Sequence, residues 1–425
     1  MAPARLPTSN QPFVMTPDSM RAIDRYVGIP ITFVATLLMR VWQLCCRPRQ
    51  QRPARILFIE LSEMGSTILA DPAMRKARDH FAAELYFVIF RKNRASLRLL
   101  QTVPEENVFT INESGLIPLA VDVIRFRRWA RQRQIDTVVD LELFSRFSAL
   151  LALLSGAVNR AGFYAFHDEG LYRGEFLTHR VAYNPHQHIA KNFIALVNAL
   201  LAQRPECPYS KTIVKDAEIR LPVVAPSPEA IAAMHAKIKG VAPAYDERRE
   251  RLVLINPNSS EMLPQRRWQP ERYRQLIHHL LEMYPEVLVL ITGAPSELAG
   301  ATSLVSAVAH ERCVNFTGHL ILEELPVLYS IAALMVTNDS GPGHFSAITR
   351  MPTIILFGPE TPALYGSLGN AHCLHAGLAC SPCVSAANHR KTACTDNVCL
   401  QEISVDAVLS KSREILDGPS PPEIR

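Results

Sequence analysis

At 425 residues the chain is long for a single hydrophobic core, and two domains are expected. With 48% hydrophobic and 20% charged residues it falls outside the disordered and fibrous classes. A formal net charge of +5 is slight at this length, so composition gives no reason to expect a nucleic-acid partner.

In chain order, the first distinctive element is the apolar run "YVGIPITFVATLLM" at 26–39, broken by Arg40 and followed by Val41 and Trp42. It falls short of the roughly 20 apolar residues of a comfortable membrane span. It starts too far into the chain, and lacks a small-residue cleavage site, for a cleaved signal peptide. A helix buried in a core fits the run, and so does a helix lying in a bilayer interface. The cluster "RPRQQRPAR" places Arg47, Arg49, Arg52 and Arg55 directly behind it. That favours the interfacial reading, with Trp42 among the headgroups and the arginines on anionic lipid. Residues 1–52 are read as a membrane-associating amphipathic segment.

From residue 53 strands alternate with helices. "RILFIE" (55–60) is an apolar strand, and "STILADPAMRKARDHF" is a helix opened by Ser66. "ELYFVIF" (84–90) and "IDTVVDLE" (135–142) are further strands, separated by the basic helix "VDVIRFRRWARQRQ". "SRFSALLALLSG" ends as a helix with Gly156 as its stop. The proline-rich stretch around 221–251 reads as a linker, after which the alternation restarts. Strands follow at 252–257, 287–293, 313–318, 334–339 and 352–358, with helices between them. Such alternation predicts parallel sheets covered on both faces. Two doubly wound, Rossmann-like α/β domains, 53–222 and 223–425, would face a cleft, with ligands beyond the carboxyl ends of the strands.

"TNDSGPGHFSA" (337–347) occupies such a strand end. Gly341 and Gly343 allow backbone N–H groups to approach a phosphate at a short helix starting near Gly343. Ser340 offers a hydroxyl, Asp339 an acceptor for a sugar, and His344 a contact to phosphate or donor sugar. A plain strand–helix turn has the same composition, so this stretch alone leaves both readings open.

Together with its surroundings, "NDSGPGHFSAITRMPTIILFGPETPALYG" resembles the C-terminal signature of glycosyltransferase family 9, the heptosyltransferases of lipopolysaccharide synthesis. "ILFIELSEMGSTILADPAMRKAR", "NPNSSEMLPQRRWQPERYRQLI" and "LITGAPSEL" are similar to three further motifs of that family, in the same order. The resemblance covers about 53–415 and implies the two-domain GT-B fold. It implies an inverting transfer of a sugar from a nucleoside diphosphate, ADP-heptose being one candidate donor, to a glycolipid or lipid-linked saccharide. The setting would be the cytoplasmic face of a bacterial inner membrane, with the enzyme bound peripherally. Asp339, Ser340 and Gly341 would hold the donor phosphates. Arg266 stands where the family often has a lysine and would neutralise the leaving diphosphate as a fork. Glu297 would contact the ribose, though capping its own helix is an equally ordinary use. No Asp-x-Asp pair sits at a strand end, and no metal or cofactor is expected beside the nucleotide sugar.

One position departs from the family. Its first loop reads Met-Gly-Asp, the Asp being the base, whereas this chain has Met64-Gly65-Ser66. Glu63 is the expected replacement, with Glu60 and Asp71 as alternatives. A nucleotide-sugar-binding relative without activity is the competing reading. In "THRVAYNPHQHIAKNFIALV", His186, His188 and Lys191 open a helix that would face the acceptor beside Ser66. Cys380, Cys383, Cys394 and Cys399 have spacing compatible with tetrahedral zinc, but free or paired thiols fit equally.

Overall fold

The computed structural model describes residues 17–45, 51–167 and 171–418. The first sheet comprises β1 (Arg55–Ile59), β2 (Glu84–Phe90), β3 (Val108–Ile111), β4 (Thr137–Asp140), β5 (Asn159–Tyr164) and β6 (His179–Ala182). Their order is β3-β2-β1-β4-β5-β6, and every pairing is parallel. The second comprises β7 (Arg251–Asn256), β8 (Val287–Ile291), β9 (Cys313–Asn315), β10 (Ala332–Asn338), β11 (Thr353–Phe357) and β12 (Ala371–His375). It is also wholly parallel, ordered β12-β11-β10-β7-β8-β9. Runs such as Ile56–Ile59 and Val287–Ile291 are buried on both faces, as continuous apolar strands require. The order reverses beside β1 in one sheet and between β7 and β10 in the other. Those crevices face each other.

Helices cover the sheets. α1 (Pro17–Tyr26) and α2 (Gly28–Cys45) precede the first strand. α3 (Met64–Phe81), α4 (Leu116–Gln132), α5 (Arg146–Leu154) and α6 (Ile189–Ala199) serve the first sheet. α7 (Pro228–Val241), α8 (Pro270–Met283), α9 (Leu298–Val308) and α10 (Leu325–Ile331) serve the second. Shorter turns α11 (Gly341–Phe345), α12 (Pro362–Tyr365) and α13 (Val398–Gln401) precede the last helix, α14 (Val405–Leu416). One apolar cluster joins α3 and α6 to Ile355, Phe357, Leu364 and Tyr365 of the second domain, so the two halves share a buried contact. Besides closing that contact, the α3–α11 approach brings the first loop of one domain onto the candidate donor loop of the other.

Four strands escaped the sequence reading: β3, β5, β6 and β12. β3 and β12 are half-buried edges without an apolar run. β5 is buried yet polar, because tertiary partners satisfy it. Asn159 Nδ2 donates to Gln51 O (2.8 Å) and Thr137 Oγ1 (3.1 Å), and Arg160 Nε donates to Phe176 O (2.6 Å). Two helix starts also move. α3 opens at Met64 with Glu63 as its N-cap and not at Ser66, and α11 opens at Gly341 and not Gly343. Gly156 does end α5, at φ +79°.

The apolar N-terminal segment is neither buried nor free. Thr32, Thr36 and Met39 of α2 are buried, and Met39 packs with Ala149 of α5 and Phe176. Asp24 Oδ1 accepts from the N–H groups of Arg146 and Phe147, both at 2.9 Å, which caps α5 and locks α1 to it. Yet Phe33, Val34, Leu38, Trp42 and Leu44 face outward. By length and composition, residues 18–45 are sufficient to cross a membrane, more than the shorter apolar count suggested. Arg47 and Arg49 lie outside the described residues; Arg52 is exposed.

Candidate active site

The loops after β7, β10 and β11 converge on a buried charge network. Its frame is Asn338 at the end of β10. The Asn338 side chain accepts from Trp268 N–H and Tyr273 Oη–H (both 3.0 Å) and donates to Pro257 O (2.8 Å). This ties the β10 end to the 257–268 segment and fixes Arg266 between two carboxylates. Arg266 Nε lies 3.3 Å from Asp339 Oδ2, and Arg266 Nη2 lies 3.2 Å from Glu360 Oε1. Burial raises the Asp339 carboxyl against the pull of Arg266, and raises Glu360 to about 8. Glu360 is therefore mostly protonated at neutral pH and able to donate. Burial lowers His344 to about 4, with His188 and Arg266 adding repulsion, so its imidazole is neutral.

Five buried polar atoms here make no well-formed hydrogen bond: Arg266 Nε and Asp339 Oδ2, which meet each other only as the 3.3 Å ion pair, and His344 Nδ1, Glu360 Oε2 and the Tyr365 hydroxyl. Ser259 Oγ, beyond β7, is a sixth. Those left with no partner at all cost roughly 1–3 kcal/mol each. Their concentration at facing strand ends suits a polar, anionic ligand. Within the loop, Ser340 Oγ donates to Asn338 O at 3.2 Å and so turns back on its own strand. A Cβ on Gly343 would lie 2.9 Å from Ile355 Cδ1, which explains that glycine by packing. A Cβ on Gly341 would meet the Phe345 ring at 3.1 Å.

Across the cleft, Gly65 admits the His344 ring: a Cβ there would lie 2.7 Å from His344 Cδ2. Beside it Ser66 Oγ donates to Glu63 Oε2 at 3.0 Å. Glu63 also pairs with Arg390, whose guanidinium lies 4.9 Å over the Tyr365 ring and 3.7 Å from Glu360. Burial lowers Arg390 to about 10, Glu60 opposing the fall. Glu60 is buried behind the loop, its carboxyl raised well above the usual range by burial and by Glu142. Asp71 faces away: it accepts from Arg75 Nε (2.7 Å) and from Thr102, and is wholly buried. Of the three carboxylates considered, Glu63 alone borders the cleft.

Glu297 Oε2 accepts from Ala294 N–H at 2.6 Å, so it caps its own turn while standing at the β8 end beside Gly293. His186, His188 and Lys191 line a separate cavity of ≈ 590 Å³ between the domains, bounded by Asp216–Arg220 and Pro362–Leu368. Lys191 pairs with Asp216 of its own domain at 2.7 Å, whereas His188 Nε2 lies 2.8 Å from Gly366 O and so ties the two domains together. His186 is exposed. The four cysteines come near one another: burial raises the Cys399 thiol, and Cys383, Cys394 and Cys380 add to that rise. Cys380 is exposed, Cys399 buried, and all four cysteines are free thiols. No group of three or more His, Cys, Asp or Glu among the described residues is placed to hold a metal ion. Glu360 and Arg390 went unrecognised in the sequence. Glu360 lies within the quoted "GPET" stretch, but Arg390 sits in the cysteine-rich segment with no local signal.

Known proteins share this architecture. The chain is 21% identical over 367 residues to lipooligosaccharide heptosyltransferase 2 of Campylobacter jejuni serotype O:2, covering 85% of this chain and 98% of that protein. The solved E. coli ADP-heptose lipopolysaccharide heptosyltransferase II superposes with a TM-score of 0.65 at 18% identity, over 85% of this chain and 98% of the other. E. coli heptosyltransferase WaaC with ADP gives 0.60 at 18% identity, over 85% and 99%. The family profile of glycosyltransferase family 9 (heptosyltransferase) matches residues 123–393, from just before β4 to beyond β12, which includes Arg266, the 339–344 loop, Glu360 and Arg390. With that match laid over two facing parallel sheets and a charged cleft at their carboxyl ends, the chain belongs to glycosyltransferase family 9.

Proposed function

We propose that this glycosyltransferase moves a heptose from ADP-heptose to a lipopolysaccharide or lipooligosaccharide inner-core acceptor, with inversion at the anomeric carbon. The observation that carries this reading is the set of orphaned polar atoms around Arg266, at the cleft of a family 9 fold. The donor diphosphate takes Arg266 as a two-pronged donor, and protonated Glu360 adds a hydrogen bond. Asp339 and neutral His344 orient the sugar, and Glu297 the ribose. Arg390 turns from Glu63 to the phosphates, which frees the Glu63 carboxylate. The acceptor hydroxyl attacks the anomeric carbon from the face opposite the diphosphate. Its proton passes to Glu63 as the bond to the diphosphate oxygen breaks, and the two arginines stabilise the departing charge.

The names of the aligned relatives support the donor and the acceptor class. The outward apolar face of α2 and exposed Arg52 support work at the cytoplasmic surface of the inner membrane. The test is ADP release by the purified full chain with ADP-heptose and a heptose-deficient core glycolipid. Acceptor-dependent release, with an inverted linkage in the product, is expected. Equal release from UDP-glucose, or none with ADP-heptose, refutes the assignment.

A further inference from the structure

α4 carries a second exposed apolar strip, on an element with no assigned role. Leu116 is 56%, Ile117 79%, Val121 41% and Ile124 58% exposed. The helix is not rotated out of place: its other face, Leu119, Val123, Phe126 and Ala130, already fills the core against β1, β2 and β4. Residues 117, 121, 124, 128 and 131 recur at helical spacing, so the apolar strip continues into Arg128 and Arg131 on the same side. Arg127 lies beside them, and all three arginines are exposed. Among the described residues, none of the three takes part in an ion pair; Arg125 alone of this group pairs, with Asp122 at 3.2 Å.

The position of this strip is the second observation. α4 and α5 cover the same face of the first sheet, and α2 packs on α5 through Met39. Phe147 and Leu150 of α5 are half-exposed between them. The outward apolar faces of α2 and α4 thus lie on one side of the domain. α4 follows β3, so Leu116 and Ile117 stand at the carboxyl edge of the sheet, where Glu63 also lies.

We propose that α4 is a second membrane contact, docking with α2 onto an anionic phospholipid surface; this rests on the reading of α2 as the first. Strip and arginines together fit a bilayer, whose acyl region takes Ile117 and Ile124 and whose headgroups take Arg127, Arg128 and Arg131. A second copy of this chain would set the same arginines against their own kind, and cores of protein interfaces are depleted of charge. Contact through both helices holds the acceptor side of the cleft at headgroup level.

The experiment is co-sedimentation of the full chain with phosphatidylcholine vesicles, with and without phosphatidylglycerol. Ile117→Asp/Ile124→Asp changes only outward side chains, and an unchanged melting temperature checks the fold. Its partition onto anionic vesicles is expected to fall by at least about tenfold. Arg127→Gln, Arg128→Gln and Arg131→Gln are each expected to lose about fivefold, on anionic vesicles only. Parental binding by the α4 variants, while Phe33→Asp/Leu38→Asp loses it, overturns the role of α4 and leaves α2 standing. Failure of the parent to bind any vesicle overturns both. A parental dimer that the α4 variant converts to monomer with vesicle binding intact makes this face a contact between copies, and also refutes the proposal.

Discussion

Gly65→Ala tests the closed cleft directly. The added Cβ would lie 2.7 Å from His344 Cδ2, where carbon atoms prefer about 3.5–4.0 Å. His344 is half-buried with its Nδ1 enclosed, and Phe345 and Ala347 beside it are core residues, so the ring has little room to yield. α3 must then withdraw by about 1 Å, carrying the Glu63 loop with it. A displacement of that size can lower catalysis by about 10²-fold. Stability should fall as well: overpacking costs about 1–3 kcal/mol, offset by up to about 1 kcal/mol because alanine is the better helix former and Gly65 has no positive φ to strain. The expected signature is a loss of about 10²-fold in kcat/KM with a melting temperature modestly below the parent's. Initial rates of ADP release and thermal melting measure both. His344→Ala removes the obstructing ring, so Gly65→Ala/His344→Ala should be no slower than His344→Ala alone. Full activity in Gly65→Ala, or independent losses that multiply in the double variant, would refute the reasoning.

Glu63→Gln should lower turnover by about 10²–10⁴-fold with donor affinity nearly unchanged, whereas Ser66→Ala should matter far less. Equal turnover of Glu63→Gln and the parent removes Glu63 as the base; recovery in Glu63→Gln/Ser66→Asp shows that both positions reach the same proton. Arg266 meets Asp339 through Nε and Glu360 through Nη2, a fork that the single nitrogen of a lysine does not reproduce, so Arg266→Lys should weaken donor binding by about tenfold by calorimetry. An unchanged Kd would sink its role as the phosphate fork. Glu360 keeps its proton to about 8 in the folded chain but loses it from 4.5 upward when unfolded, so it makes stability fall as pH rises from 4.5 to 8. His344, lowered from 6.5 to about 4, makes stability rise with pH between those values. Glu360→Gln should therefore gain on the parent as pH rises from 4.5 to 8, by a few kcal/mol in order of magnitude; parallel melting curves against pH would contradict the buried, protonated carboxyl.

Much of the fold was legible because a strand buried on both faces is written as a nearly unbroken apolar run. "RILFI", "ELYFVIF", "VLVLI" and "TIILF" each announced themselves, and all four are central or next to central. β5, "NRAGFY", did not, since its Asn159 and Arg160 are satisfied only by groups such as Gln51 and Phe176, distant along the chain or placed by the fold. The candidate site divides in the same way. Asp339 and Arg266 stood in recognisable motifs, and the structure sets them 3.3 Å apart. Glu360 was within a quoted motif, but nothing local marks a glutamate whose burial raises it to about 8.

By itself, the sequence determined two parallel α/β sheets, their facing crevices and the family, since periodicity and motif order are local along the chain. Only the tertiary structure decided which charges meet. Arg390 reaches Glu63 and Glu360 from a cysteine-rich segment that offers no hint of it, and Lys191 is committed to Asp216. It alone also decided that α2 buries one face and leaves the other outward, and that α4 stands on the same side of its sheet. The physical reason is range. A side chain's partners, its burial and so its charge state depend on atoms brought together by folding, and no window of the sequence contains them.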